Sequence, residues 1–281
     1  MSYLSITSLV ALVWLLTSIA CTLTIGRFAI YWNRKKIIGP EIILNGIASV
    51  LLVGFTATWQ VLVPKAYEAA ISRLGHSGNP STPRHDSLAT RQVDLTNALF
   101  FWLCIYLVKA SFLILYWNLF HVSTRFRIAW VAVVIYASLG LIVTIAFRLT
   151  ACGSPGDVLN AEKCEKEKTA MVFVKAQVTW SVIDGVGDIL LVLIPLIMLR
   201  GTLMPLSTKI QLGLLFGLVS INLATNVLRA LYTINTYLTD HKFLNALWPV
   251  LQCSTAVMIC ALPSYGRFLH FRKYHTEPVL M

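Results

Sequence analysis

Charge is scarce in this 281-residue chain: Asp, Glu, Lys and Arg make up 12% of it, about half of the quarter that a soluble domain carries. Acids are the scarcer sign, 12 against 23 bases, leaving a formal net charge of +11. Six cysteines are too few for a secreted scaffold held by disulfides. The six histidines are scattered over loops and helix ends with no Cys or His partner at ligand spacing, so no metal site is expected. A phosphate-cradling glycine loop, a nucleophile elbow and a nucleotide motif are all missing, which excludes an ATP-driven pump and leaves no cofactor to expect. Pro80 spoils Asn79-Pro80-Ser81 as a glycosylation acceptor and no other stands in the chain, so no N-glycan is expected.

Apolar residues are what the chain has in excess. They reach 57%, with 8 Trp and 13 Phe, and the mean hydropathy is +0.72. Such a chain is neither disordered nor an ordinary globular domain. Seven runs are long enough to cross a bilayer as helices, each needing about 20 apolar residues: 5–31, 42–63, 95–120, 128–148, 170–199, 210–233 and 243–269. The expected fold class is all-α, a polytopic membrane protein in which one seven-helix bundle takes up residues 1–281. No internal repeat is visible, which argues against a transporter built from inverted halves.

The basic excess has a distribution that explains it. Met1 to Thr24 holds no Lys or Arg, and the cluster Arg27, Arg34, Lys35 and Lys36 follows the first apolar run. This order marks a retained first helix with its N-terminus outside. Counted along the alternating connections, the inner side carries eleven cations and two acids, Glu41 and Glu277. The outer side carries nine cations and eight acids, mostly in two longer loops, 64–94 and 148–168. Positive charge in short inner loops is a topology signal and an attraction to anionic lipid. The expected partner is therefore the lipid bilayer, of the plasma membrane or the endoplasmic reticulum, and nucleic acid is not needed.

Five ionisable residues fall inside the spans: Lys109, Lys175, Asp184, Asp188 and Arg229. A charge at the bilayer centre costs about 2.5–3.5 kcal/mol even on the mildest scale. Lys175 and Arg229 stand near the outer ends of helices five and six, where a long side chain snorkels to the interface. Lys109 lies deep in helix three, and Asp184 and Asp188 deep in helix five. The aspartates are four residues apart and share a helix face, and two carboxylates so close in low dielectric do not both ionise without a cation between them. Lys109 is the expected counter-ion. Spacing alone leaves two readings open, a pair that only fixes helix packing and a polar centre that binds a ligand or moves a proton.

Gln60, Ser111, Tyr116, Gln177, Thr179, Asn222, Asn226 and Gln252 complete the polar set within the spans, where helix–helix hydrogen bonds are the ordinary use. Trp59, Trp102, Trp180 and Trp248 fall near the outer half, as interfacial anchors or pocket walls. Cys152 and Cys164 share the second outer loop with eleven residues between them, and on an oxidising side a disulfide closing that loop is expected. Cys21, Cys104, Cys253 and Cys260 fall within helices as small apolar fillers.

Four stretches resemble the fungal rhodopsin-like integral membrane proteins, a seven-helix family described as G-protein-coupled-receptor-like. They are Lys109-Ala-Ser111 running to Tyr116 and Phe120, Cys152-Gly-Ser-Pro155 with Cys164, Asp184 to Pro195, and Phe216-Gly217 to Arg229 with Ile259-Cys260-Ala261-Leu262-Pro263-Ser264. Their order spans helices three to seven; helices one and two match in general character only. Measured against the family pattern, Asn118 stands where an Arg is usual, Asp184 where an Asn is, and Gln252 where a Glu is. The lost Arg, the short connection from Arg200 to Lys209 and the short run from Leu269 to Met281 argue against coupling to a G protein. The carboxylate at 184 is expected to make the polar centre more acidic than the family's. Retinal is not implied: its Schiff base needs a lysine within helix seven, and Phe243 to Leu269 contains none, with Lys242 only at the rim.

The resemblance implies a receptor-like or sensor-like protein that binds a small, largely apolar molecule in its bundle. Lys109, Ser111, Tyr116, Asp188, Arg229 and Gln252 are the candidate ligand contacts. The alternative is a membrane-embedded enzyme or accessory protein of a fungal secondary-metabolite pathway, with Asp184 and Asp188 as acid and base and Lys109 tuning them.

Overall fold

The computed structural model describes residues 6–33, 39–74, 88–121, 123–150, 167–199, 219–231 and 247–276, with 213, 216 and 217. These residues form seven helices and no strand. They are α1 (Ile6–Asn33), α2 (Pro40–Leu74), α3 (Leu88–Phe120), α4 (Thr124–Thr150), α5 (Glu167–Leu199), α6 (residues 219–231) and α7 (Leu247–Thr276). Five of them (α1 to α5) are long and apolar enough to cross a membrane. Backbone polar groups in hydrocarbon must be satisfied within the segment, and a helix does this alone. The chain is an integral, multi-pass membrane protein.

Three helices outrun the apolar spans. α2 continues through Pro64 to Leu74, α3 begins at Leu88 and α7 reaches Thr276. Hydropathy measures the membrane-crossing part of a helix and is blind to a polar extension. Lys65-Ala66-Tyr67-Glu68-Ala69-Ala70 is rich in helix formers, and Pro64 removes only one ladder hydrogen bond. The central part of the expected loop 64–94, the connection from Arg200 to Lys209 and the cysteines Cys152 and Cys164 lie outside the described residues.

α3 is the hub, packed on α2, α4, α5 and α7. Small residues let it approach α2: Gly54 leaves room for the Phe100 ring, and Thr58 donates to Asn97 Oδ1 at 2.8 Å. Phe55 and Phe101 stack with ring centroids 5.6 Å apart. On the other flank Trp130 Nε1 of α4 donates to the Leu113 carbonyl at 2.8 Å. Gly140 admits the Tyr106 hydroxyl beside Ile183 of α5. The surface is apolar, with Ile25, Trp32, Val50 and Ile128 among its most exposed side chains, while Lys109, Asp184, Asp188 and Arg229 are buried. That inversion is what lipid as solvent demands.

Arg27 sits where the sequence reading does not put it. Arg27, grouped above with the inner cations, is buried in α1, and its Nη1 donates to the Cys260 carbonyl of α7 at 2.6 Å. Pro263 lies three residues further along α7, and the guanidinium ties α1 to α7 just before it. The expected bounds of helix one, 5–31, enclose Arg27, and that was its signal. Trp59, Trp102 and Trp180 are buried rather than interfacial.

Candidate functional site

The site starts from Asp184-Gly185-Val186-Gly187-Asp188 in the middle of α5. One helical turn separates the aspartates and aims both at α3. Lys109 comes from the facing side of α3, and its Nζ lies 2.6 Å from Asp184 Oδ1 and 3.0 Å from Asp188 Oδ1. The same Nζ donates to the Asp184 carbonyl at 2.8 Å, so one ammonium is set among three oxygens. Gly187 is what lets the ammonium in: a Cβ at this position would stand 3.0 Å from Nζ.

The remaining carboxylate oxygens reach the last two helices. Asp188 Oδ2 accepts from Asn222 Nδ2 of α6 at 2.9 Å, and Asp184 Oδ2 accepts from Gln252 Nε2 of α7 at 3.0 Å. Gln252 Oε1 in turn accepts from Arg229 Nη1 at 3.3 Å. The amide is oriented by its neighbours, since only its NH2 can serve the carboxylate and only its oxygen can serve the guanidinium. Arg229 rests against two rings, its central carbon 4.5 Å from the Phe101 centroid and 4.7 Å from that of Trp180. It does not snorkel as its place near the helix end suggests; Lys175, by contrast, is exposed.

All four ions are nine-tenths or more buried, at 6% exposure for Lys109, 1% for Asp184, 3% for Asp188 and 6% for Arg229. Two cations and two carboxylates sum to zero, which is the only total that such burial tolerates without large cost. Asp184 and Gln252 stand where the family pattern has Asn and Glu. They touch, so the two departures from the resembled pattern meet in one hydrogen bond.

Of the candidate ligand contacts, the structure joins Lys109, Asp188, Arg229 and Gln252 into one network with Asp184, and leaves two apart. Ser111 lies two residues from Lys109 and so faces away from it. Its hydroxyl donates to the Glu41 carbonyl at 2.7 Å and accepts from Cys260 Sγ at 3.2 Å. Tyr116 is buried further along α3 against Phe112, ring centroids 6.4 Å apart. Residues that sequence reasoning passed over also belong to the site, Gly187 and Phe101 already described and two tyrosines. Tyr136 of α4 donates to the Ile183 carbonyl at 2.9 Å, and the Tyr106 ring lies 5.9 Å from Lys109 Nζ. Gly187 was legible in the Gly-x-Gly between the aspartates; the tyrosines carried no signal beyond being aromatic in a span.

Space around the centre is small. Beside Lys109, a cavity of about 10 Å³ is lined by Tyr106, Tyr136 and Gly187 among others, room for about one water molecule. A second, partly open cleft of about 40 Å³ lies between α3, α4 and α5, next to Trp180. Among the described residues no group of His, Cys, Asp and Glu could hold a metal ion.

Comparison with known proteins supplies one finding. No curated protein and no solved structure matches this chain. A family model, that of the fungal rhodopsin domain, matches residues 26–271, and so takes in the whole charged centre, from Lys109 to Gln252, together with the end of α1, α2 to α6 and most of α7. The chain belongs to the fungal rhodopsin domain family.

Proposed function

We propose that this protein is receptor-like or sensor-like: it binds a small lipophilic molecule within the helix bundle and responds by rearranging its charged centre. The observation that carries the proposal is the chain of contacts from Lys109 through Asp184 and Gln252 to Arg229, which ties α3, α5, α6 and α7 together without surfacing. Breaking one link of a buried ion pair costs about 3–5 kcal/mol. Driving a two-state protein from 1:99 to 99:1 takes about 5.5 kcal/mol. A single link therefore carries the right order of energy for a switch. Two amide oxygens beside it, Asn222 Oδ1 and Asn226 Oδ1, have no hydrogen-bond partner among the described residues, so the centre retains acceptors to offer.

Acid–base catalysis by Asp184 and Asp188 is not favoured by the same geometry. All four carboxylate oxygens are engaged, by Lys109, Gln252 and Asn222. The cavity beside them, about 10 Å³, admits no substrate larger than water. The test is to delete the gene in the source organism and complement it with wild type or with the Asp184→Asn/Asp188→Asn variant at matched abundance. A lost transcriptional response with an unchanged metabolite profile is expected, unrestored by the variant. Accumulation of one lipophilic intermediate that the variant fails to relieve would replace the receptor reading with the enzyme.

A further inference from the structure

The cleft between α3, α4 and α5 has a chemical bias of its own. Its walls include Trp102, Thr144, Phe147, Gln177, Trp180 and Ile183. Two polar atoms among them, Trp180 Nε1 and Gln177 Nε2, are buried and have no hydrogen-bond partner among the described residues. Both are donors, and the indole nitrogen can be nothing else. The Thr144 hydroxyl spends its proton on the Gly140 carbonyl at 2.7 Å. Arg148, also in the wall, is ion-paired with Asp94. What these two donors lack is an acceptor.

Its mouth faces sideways. Val143 and Phe147 of α4 and Thr179 of α5 are exposed on the lipid-facing surface, so a molecule dissolved in the bilayer reaches the cleft without crossing water. Its floor is Trp180, which is 3% exposed, edge-on to Phe101 at 5.2 Å and against Arg229. Whatever fills the cleft therefore touches the ring that holds one end of the charged network.

We propose that this cleft is the lateral access and polar subsite for a lipophilic molecule bearing a neutral carbonyl oxygen, a ketone or ester, which accepts hydrogen bonds from Trp180 and Gln177. A volume of about 40 Å³ takes the carbonyl and its neighbouring carbons, and the hydrocarbon remainder lies along α4 and α5 in the lipid. Binding turns the Trp180 ring and so changes how Arg229 is held. This rests on the receptor-like reading, and adds to it where the molecule docks and by what group.

The test uses the full chain in phosphatidylcholine nanodiscs and a photoreactive long-chain methyl ketone carrying a diazirine, with labelled peptides mapped by mass spectrometry. Label is expected within residues 143–148 and 176–183. 2-Undecanone should displace it about fivefold better than undecane at equal membrane concentration, the value of about one hydrogen bond. Trp180→Phe removes the donor and keeps the ring, and Gln177→Leu removes the other donor from a side chain at the cleft wall; each should shrink that preference. Equal displacement by ketone and alkane in the wild type, or a preference untouched by both variants, overturns the proposal. So does label spread evenly over lipid-facing helices. Label concentrated instead beside Lys109 overturns the cleft while leaving the receptor-like reading standing, because that reading is tested separately by the deletion strain.

Discussion

Lys109→Met is the sharpest perturbation of this molecule. Methionine follows the lysine stem in length and apolar character, so the change removes the ammonium with little loss of packing. What it leaves behind is two carboxylates on one turn of α5, each of which had its Oδ1 within 3.0 Å of the lost charge. Asn222 and Gln252 still donate to them, but amides neutralise nothing. Removing one partner from a buried ion pair costs about 3–5 kcal/mol; two carboxylates share this partner, so the upper half of that range is expected. The folded-to-unfolded ratio then falls roughly a thousandfold or more. Converting Asp188 as well, in Lys109→Met/Asp188→Asn, removes the stranded charge, keeps the side-chain shape and leaves Asp184 balanced by the buried Arg229. That double variant should return to within about 1 kcal/mol of wild type, because a buried ion pair is replaceable as a whole. Unfolding by SDS in mixed micelles, followed by tryptophan fluorescence, gives both numbers. A single variant within about 0.5 kcal/mol of wild type, or a double variant as unstable as the single, would refute the reasoning.

Three further outcomes follow from the same contacts. Asp184→Asn and Gln252→Glu should each destabilise, whereas the double exchange should recover about 0.5–3 kcal/mol of the summed loss in a double-mutant cycle; additive losses would show that the 3.0 Å contact is not a functional unit. Gly187→Ala places a methyl 3.0 Å from Lys109 Nζ and should cost about 1–3 kcal/mol by overpacking. Its neighbour Gly185→Ala meets only ordinary contacts at 3.4 and 3.5 Å and should be neutral or stabilising, so equal effects at the two sites in the same unfolding assay would count against the packing argument. Arg27→Met should cost about 1.5–3 kcal/mol for a charged hydrogen bond and speed hydrogen exchange in α7 around Cys260; an unchanged exchange pattern would show that the Cys260 carbonyl does not need its donor.

The bundle was legible because hydrocarbon leaves so few solutions. Long apolar runs must be helices, and the polar residues they contain must face inward, which is why Lys109, Asp184 and Asp188 stood out from the sequence alone. Hydropathy had no means of finding the ends of α2, α3 and α7, since a helix that leaves the membrane stops being apolar before it stops being a helix. Arg229 was misread for a related reason. A position near a helix end suggests escape to water, but the rings of Phe101 and Trp180, contributed by α3 and α5, offer the guanidinium a resting place inside. No spacing on α6 encodes a partner on two other helices. The link between Asp184 and Gln252 was hidden in the same way: two separate departures from the family pattern become one contact only when α5 and α7 are brought side by side.

The four ions are not held alike, and that difference gives the network a direction. Lys109 is anchored by three acceptors at 2.6, 2.8 and 3.0 Å, and Gly187 and the tyrosines of α3 and α4 close around it. Moving it means breaking every contact at once. Arg229 is joined to the centre through a neutral amide, by the longest hydrogen bond of the series at 3.3 Å, and rests on aromatic faces whose attraction is worth about 0.5–2 kcal/mol. On the receptor-like reading proposed above, a displacement of Trp180 is felt at Arg229, which it touches, before it is felt at Lys109. Gln252 then has to choose between following the guanidinium and staying with Asp184, and either choice shifts α7 against α5. If the protein is the receptor proposed above, an ion cluster at one end and an amide link on aromatic faces at the other is an arrangement that would turn a change in the wall of the bundle into relative movement of its helices.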